Sequence, residues 1–180
     1  LGDLDFDGRG DFAYGLPDSD LWTLDGGMVR VASGAGGATK FEFFGVAAGE
    51  SFGHALAGAG DVNGDGVPDL LIGAYRAASL GAFTGRVEVR SGAGGALLRT
   101  HAGTSAGDRF GLALCGLGDV NGDGRSDYAV GADQDSVGPG YVRVYSGATG
   151  AVLRTHTGTT PLARFGAAVA GAGDVDLDGR

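Results

Sequence analysis

The sequence is organised by one stretch, FGHALAGAGDVNGDGVPD, which occupies Phe52–Asp69. A close copy, FGLALCGLGDVNGDGRSD, occupies Phe110–Asp127, 58 residues further along the chain. A third copy begins at Phe165, 55 residues later, and an acidic segment of the same kind begins at Asp3. Recurrence of one pattern at this spacing indicates a chain built from repeated structural units.

Each repeat predicts four short β-strands rather than helices. In the middle repeat these strands are His54–Ala59, Leu70–Tyr75, Arg86–Arg90 and Ala96–His101. The third of them alternates Val with charged residues, which is the period-2 pattern of a strand. A Gly-rich segment that begins at Ser91 follows it and favours a hairpin turn. We therefore expect the four strands of a repeat to form an antiparallel meander.

Glycine supports this all-β interpretation. It accounts for 39 of 180 residues, whereas proline accounts for only 4. Interior Gly lowers helix stability by about 1 kcal/mol, so this composition favours short strands joined by tight turns. A four-stranded sheet cannot bury both faces alone, and radial stacking of such sheets gives the blades of a β-propeller. We expect three blade equivalents, over residues 1–45, 46–103 and 104–158, followed by an extra first strand and a truncated acidic loop within 159–180.

The acidic loop after the first strand of each repeat has the pattern of a metal site. In Asp61–Asp69, side-chain oxygens occupy positions 1, 3, 5 and 9, and Gly occupies position 6. Alternate side chains of a tight loop converge on one point, and oxygen ligands suit Ca²⁺ better than a soft metal. The expected ligands, with the residue at position 7 contributing its carbonyl, are Asp3, Asp5, Asp7, Arg9 and Asp11; Asp61, Asn63, Asp65, Val67 and Asp69; Asp119, Asn121, Asp123, Arg125 and Asp127; and, in a truncated fourth loop, Asp174, Asp176 and Asp178. We expect one Ca²⁺ in each complete loop, about three in all.

The acidic loops differ from the calcium loop of an EF-hand. An EF-hand carries a bidentate Glu at position 12, where these loops carry Tyr14, Ile72 and Val130. A strand rather than a helix is expected after each loop. A role in surface turns alone does not explain why the same frame of Asp, Asn and Gly recurs four times.

Charge and composition restrict the possible partners. The chain carries 22 acidic and 13 basic residues, a net charge of −9, which argues against a nucleic-acid partner. It contains no run of 18 apolar residues, so we expect no membrane insertion. Cys115 is the only cysteine, which excludes an intrachain disulfide.

Two dipeptides flank the acidic loop of the repeat. Phe52-Gly53 precedes the loop, and Gly73-Ala74 follows it. They make the repeat resemble the FG-GAP repeat of integrin α propellers and of many bacterial surface and secreted proteins. The next repeat carries the same two dipeptides, and the resemblance covers essentially the whole chain. It implies a propeller blade with Ca²⁺ in the hairpin between the first and second strands. It also implies an extracellular or cell-surface protein, here expected to be bacterial.

In that family the propeller usually serves adhesion or ligand binding. The resemblance therefore implies a non-enzymatic module that binds a protein or a glycan. The specificity loops would be the variable connections around Pro17–Asp25, Ala77–Thr84 and Gln134–Pro139. Two alternatives stay open, a lectin and a scaffold or catalytic domain of a polysaccharide-active enzyme. Trp22 is suited to stacking on a sugar but is not repeated, and the chain has no P-loop, dinucleotide motif or nucleophile elbow.

Three repeats are fewer than the four to eight blades of a typical closed propeller. The first repeat lacks its own first strand, whereas Phe165–Gly173 would supply one in excess. Either two chains form a six-bladed ring by exchanging this strand, or the chain is a segment of a longer propeller. Both arrangements start from unpaired strand edges, so we expect self-association or completion by further blades.

Overall fold

A computed structural model describes residues 1–134 and 138–175 of the chain. The strands are β1 Phe12–Leu16, β2 Met28–Ala32, β3 Thr39–Phe44, β4 Ala55–Gly60, β5 Asp69–Ala74, β6 Arg86–Arg90, β7 Leu97–Ala102, β8 Ala113–Gly118, β9 Asp127–Ala132, β10 Tyr141–Tyr145 and β11 Val152–Thr157. Over the described residues there is no helix, and so none long and apolar enough to cross a bilayer. The predicted all-β class is confirmed.

The strands form three antiparallel sheets, each a meander whose strands pair in chain order. The first sheet contains β1 to β3, the second β4 to β7, and the third β8 to β11. In the second sheet, Gly73 of β5 lies opposite Val87 of β6, and Gly131 lies opposite Val142 in the third. The predicted four-stranded meander is therefore confirmed in both. Observed strand bounds in the second sheet lie within one residue of the predicted ones.

One predicted strand is not formed. Phe165 makes a single bridge to Gly140, and residues 167–174 belong to no strand, so the extra first strand expected over Phe165–Gly173 is wrong. The physical reason lies in pairing. In the second sheet the first strand is held by the second, as Ala55 is by Gly73. Within the described residues no second strand follows residue 173, so this segment has no ladder to join.

The hydrophobic cores lie between the sheets, as in stacked propeller blades. Val29 and Val31 of the first sheet pack with Leu70 and Ile72 of β5 in one core. Leu71, between those two β5 residues, belongs to a second core with residues of the third sheet, including Tyr128 and Val130 of β9. Successive side chains of β5 thus point into opposite cores, which explains why all its residues are buried.

The Phe-Gly dipeptides join each sheet to the one before it. Phe52 and Phe110 are fully buried in the two cores, while Phe165, with no described sheet beyond it, is 41% exposed. The glycine after each Phe approaches the preceding sheet closely. A Cβ on Gly73 of β5 would lie 2.2 Å from the carbonyl oxygen of Gly111. Only Gly fits at this contact, which accounts for its recurrence in the repeat.

Candidate metal centre

Each acidic loop leads into a strand, β1, β5 or β9, and the variable connection follows the other end of that strand in the chain. The second acidic loop, Asp61–Asp69, leads into β5, and the variable connection over residues 75–85 leaves it. The first acidic loop, Asp3–Asp11, leads into β1, and the third, Asp119–Asp127, leads into β9. Candidate metal ligands and candidate specificity loops are therefore separated by the length of a strand.

The Asp at position 1 organises each acidic loop by accepting backbone hydrogen bonds. In the third loop, Asp119 Oδ1 accepts the N–H of Gly122 at 2.8 Å, and Oδ2 accepts that of Gly124 at 2.7 Å. Gly124 has φ of 84°, a conformation that favours glycine and explains its place at position 6. The N–H donors, Gly124 first, lower the pKa of Asp119, so this carboxylate is held in its charged form.

The Asp at position 9 is buried and joins two segments of backbone. Asp69 Oδ2 accepts the Val62 N–H at 2.9 Å, and Oδ1 accepts the Gly92 N–H at 3.1 Å from the hairpin between β6 and β7. Asp127 makes the equivalent pair of bonds in the third sheet. Burial raises the pKa of Asp69 and of Asp127, and the carboxylates at positions 5 and 1 add to the shift. A nearby cation would relieve this penalty.

Positions 3, 5 and 7 are linked to one another. Asn63 Nδ2 donates to Asp65 Oδ2 at 2.9 Å, and the Val67 N–H donates to Asp65 Oδ1 at 2.9 Å. The Val67 N–H is the largest cause that lowers the pKa of Asp65. Asn121, Asp123 and Arg125 repeat these contacts in the third loop. Position 7 thus contributes its N–H here, and the carbonyl ligands expected from Arg9, Val67 and Arg125 stay predictions.

In the first acidic loop three carboxylates converge. Oxygen atoms of Asp3, Asp5 and Asp11 all lie within 4.8 Å of one another. This donor set consists of hard oxygens, and among metal ions it fits Ca²⁺ or another hard divalent cation. The fourth acid, Asp7, accepts the Arg9 N–H at 2.9 Å. Lys40 of β3 also reaches this loop, with contacts to Asp5 and Asp11.

Three side chains at these loops were not expected from the sequence. Ser91 Oγ lies 3.5 Å from Asp65 Oδ2, and Ser146 Oγ donates to Asp123 Oδ2 at 3.2 Å. The signal for these two is the recurrence of Ser-Gly in the hairpin, a pattern that by itself predicts only a turn. Lys40 gave no repeat signal, because Leu occupies its place in the other two sheets. Of the truncated fourth loop, Asp174 is exposed, and Asp176 and Asp178 lie outside the described residues.

Comparisons with known proteins give several matches. Residues 52–87 match the model of the FG-GAP repeat. The chain is 38% identical over 162 residues to integrin alpha-PS2 of Drosophila melanogaster, which covers 81% of this chain and 11% of that protein. It is 33% identical over 195 residues to integrin alpha-V of Gallus gallus, which covers 99% of this chain and 18% of that protein. The chain thus spans less than a fifth of either relative.

One solved structure that the chain partly resembles is that of the exotype rhamnogalacturonan lyase YesX. The TM-score is 0.36 at 14% identity, over 84% of this chain and 36% of that one. A likeness of this size carries no argument about activity.

Proposed function

The chain is an FG-GAP repeat protein of the integrin alpha-like family, and we propose that it is a non-enzymatic, calcium-binding interaction module that works outside the cell. The observation that carries the proposal is the convergence of the Asp3, Asp5 and Asp11 carboxylates in a loop whose frame recurs along the chain. An extracellular setting suits such loops, since Ca²⁺ there reaches the millimolar levels that weak sites need.

The residues that would hold Ca²⁺ are those at positions 1, 3, 5 and 9 of each acidic loop, with a carbonyl from position 7. In the second loop the negative charges of Asp65 and Asp61 act on the buried carboxylate of Asp69. The ion would supply the counter-charge that this cluster lacks. The raised pKa of buried Asp69 supports the proposal, because it reflects a carboxylate whose charge is poorly compensated by protein groups alone.

Isothermal titration calorimetry tests calcium binding directly. We expect the metal-free chain to bind about three Ca²⁺ ions, with Mg²⁺ binding more weakly because it demands a smaller, more regular site. The double variant Asp61→Asn, Asp65→Asn should lose one ion. Absence of saturable Ca²⁺ binding at millimolar concentration would exclude the calcium part of the proposal.

We propose that the ligand binds at the variable connections. In the first of these, Trp22 is 72% exposed, and its ring lies 6.0 Å from that of Phe44, centroid to centroid. Leu21 and Leu24 beside it are also exposed. An exposed aromatic ring flanked by apolar side chains suits either a sugar face or a protein surface.

A glycan array probed with and without Ca²⁺ separates these two ligand classes. Glycan binding that is lost in a Trp22→Ala variant would identify a carbohydrate ligand. Absence of binding to any glycan in the presence of Ca²⁺ would exclude that class and leave a protein ligand. The variant should keep the melting temperature of the parent chain, because the Trp22 side chain is largely in solvent.

A further inference from the structure

We propose that Lys40 is a built-in counter-ion of the first acidic loop, which makes this loop the weakest of the three calcium sites. The same ammonium group would keep the first loop ordered when no divalent cation is bound. The inference rests on the calcium binding proposed above, and it concerns a residue that belongs to no metal-binding pattern.

The geometry places the Lys40 ammonium among the converging carboxylates. Its Nζ lies 3.1 Å from Asp11 Oδ2 and also contacts Asp5 Oδ2. The Lys40 side chain is only 14% exposed and that of Asp11 is fully buried. Two of the three acids that converge in this loop are therefore already paired with a positive charge.

Comparison of the repeats shows that this pairing is particular to the first sheet. Lys40 lies seven residues after Ser33, and the residues seven after Ser91 and Ser146 are Leu98 and Leu153. Leu98 packs against the core between the second and third sheets. Within the described part of the chain, no ion pair reaches the acids of the second or third loop.

A second change in the same repeat matches the first. Position 3 is Asp5 in the first loop but Asn63 and Asn121 in the other two. The first loop has four acids and one lysine, whereas the second and third loops each have three acids. With Arg9 at position 7 and Lys40, the first loop carries a net charge of −2; the second loop carries −3, and the third, with Arg125 at position 7, carries −2. The additional acid and the lysine thus compensate each other.

This compensation has opposite effects on folding and on metal affinity. Without metal, the ammonium offsets the repulsion among the first loop's carboxylates by direct ion pairs, and among the described residues the acids of the other two loops have no such pair. With metal, a divalent cation must displace the ammonium from Asp5 and Asp11 or bind beside it against like-charge repulsion. The number of carboxylates that are free to bind sets the calcium affinity of an oxygen site. Because two of its carboxylates are paired with Lys40, the first loop should bind Ca²⁺ about 10-fold more weakly than the other two loops.

Site-resolved NMR titration of the 180-residue chain tests the inference. The backbone amides of Gly8, Gly66 and Gly124 report on the three loops, because each donates to the Asp at position 1. In the parent chain, the Ca²⁺ concentration at which the Gly8 signal is half shifted (its midpoint) should be about 10-fold higher than for Gly66 and Gly124. In Lys40→Met the Gly8 midpoint should fall by about 10-fold or more, with those of Gly66 and Gly124 unchanged.

Two further variants serve as controls. Arg154→Met removes a positive charge from exposed β11 and should leave all three midpoints in place, which excludes an effect of net charge. The double variant Asn63→Asp, Leu98→Lys transfers the pair to the second sheet and should weaken the Gly66 site alone. If that variant does not fold, the Lys40→Met comparison decides on its own.

The outcomes separate this inference from the proposed function. If no amide responds to Ca²⁺ in any variant, calcium binding itself is wrong. If all three amides respond with one midpoint in both the parent chain and Lys40→Met, calcium binding stands and the role of Lys40 is wrong. A weaker Gly8 site in Lys40→Met would also overturn the inference, since it would make Lys40 a support of the site.

Discussion

The N–H of Gly92 donates a 3.1 Å hydrogen bond to Oδ1 of Asp69, which ties the second acidic loop to the hairpin between β6 and β7. The equivalent bond from Gly147 to Asp127 measures 2.9 Å, and that from Gly34 to Asp11 measures 3.0 Å. The acid at position 9 therefore serves the fold as well as the loop. Part of each candidate metal site is built into the sheet.

Replacing Asp127 by Asn should destabilise the chain even without metal. Both carboxylate oxygens accept backbone N–H groups, and an amide can offer only one oxygen, so its NH₂ group would face a donor. We expect a loss of about 1–3 kcal/mol in the free energy of unfolding. Urea denaturation in excess EGTA measures this loss. Asp18→Asn, at an exposed acid, is the control, and equal stability of the two variants would contradict the structural role of Asp127.

Removal of calcium should lower the melting temperature of the chain. A cation bound only by the folded state stabilises it by mass action, by about 2.7 kcal/mol for each site when free Ca²⁺ is 100 times the Kd. Weak extracellular sites fill at about 2–5 mM Ca²⁺. Differential scanning calorimetry at that concentration should give a higher Tm than in excess EGTA. The same Tm in both buffers would argue against metal binding in the folded state.

The free energy of unfolding should fall as the pH is lowered from about 6.5 towards 4, because His101 has a lower pKa in the folded chain than in the unfolded chain. Burial, with a smaller effect of Arg99, lowers the pKa of His101 from 6.5 to about 4. The unfolded chain then gains a proton in this interval that the folded chain does not, so the contribution of neutral His101 is present above pH 6.5 and is lost as the pH falls. Nε2 of His101 lies 2.7 Å from Tyr128 OH of the next sheet.

Melting temperatures of His101→Gln and His156→Gln at pH 7 and pH 4.5 separate this effect from general acid denaturation. His156 occupies the equivalent place in the third sheet, but its side chain is exposed. The His101 variant should lose less stability between the two pH values than the parent chain, and the His156 variant should behave like the parent. Identical pH dependence in all three chains would rule out a contribution from His101.

The close approach at Gly73 should make Gly73→Ala severely destabilising. The new Cβ would lie 2.2 Å from a backbone oxygen of Gly111, which cannot move without separating two sheets. We expect a loss of more than about 3 kcal/mol, or a chain that does not fold. Gly94→Ala is the matched control, because no atom lies within 4 Å of its Cβ, and it should change stability by less than about 0.5 kcal/mol.

Much of the fold could be predicted because the repeat carries it. The alternation of Val with charged residues around Val87 predicts a strand, and the Gly-rich segment at Ser91 predicts a hairpin turn. Comparison of the copies gave the strand bounds to within one residue. The repeat could not predict whether the last copy has a neighbouring strand with which to pair. The segment after Phe165 has none among the described residues and does not form a strand.

Contacts made outside the repeated motifs also escaped prediction. Lys40 gave no signal because the other repeats carry Leu there. Asp108, buried two residues before Phe110, accepts Tyr141 OH at 3.0 Å and Gln134 Nε2 at 2.8 Å, but Ala163 occupies its place in the next copy. Such side chains join segments that are far apart in the chain, whereas single-sequence patterns report on positions within one strand. Sequence reasoning therefore found the acids of the loops but not Lys40, Ser91 and Ser146, which contact those acids.

Because each core lies between two sheets, three sheets possess two cores, and the sheets at either end contribute only one face to a core. Cooperativity in such a stack passes from neighbour to neighbour, so unfolding should begin at the outer sheets and spread inwards. Phe12 and Leu16 of β1 are exposed on the first sheet and would be covered by any neighbour that docks there. Hydrogen exchange should accordingly protect the amides of β5 and β6 longest, with β3 and β11 exchanging first.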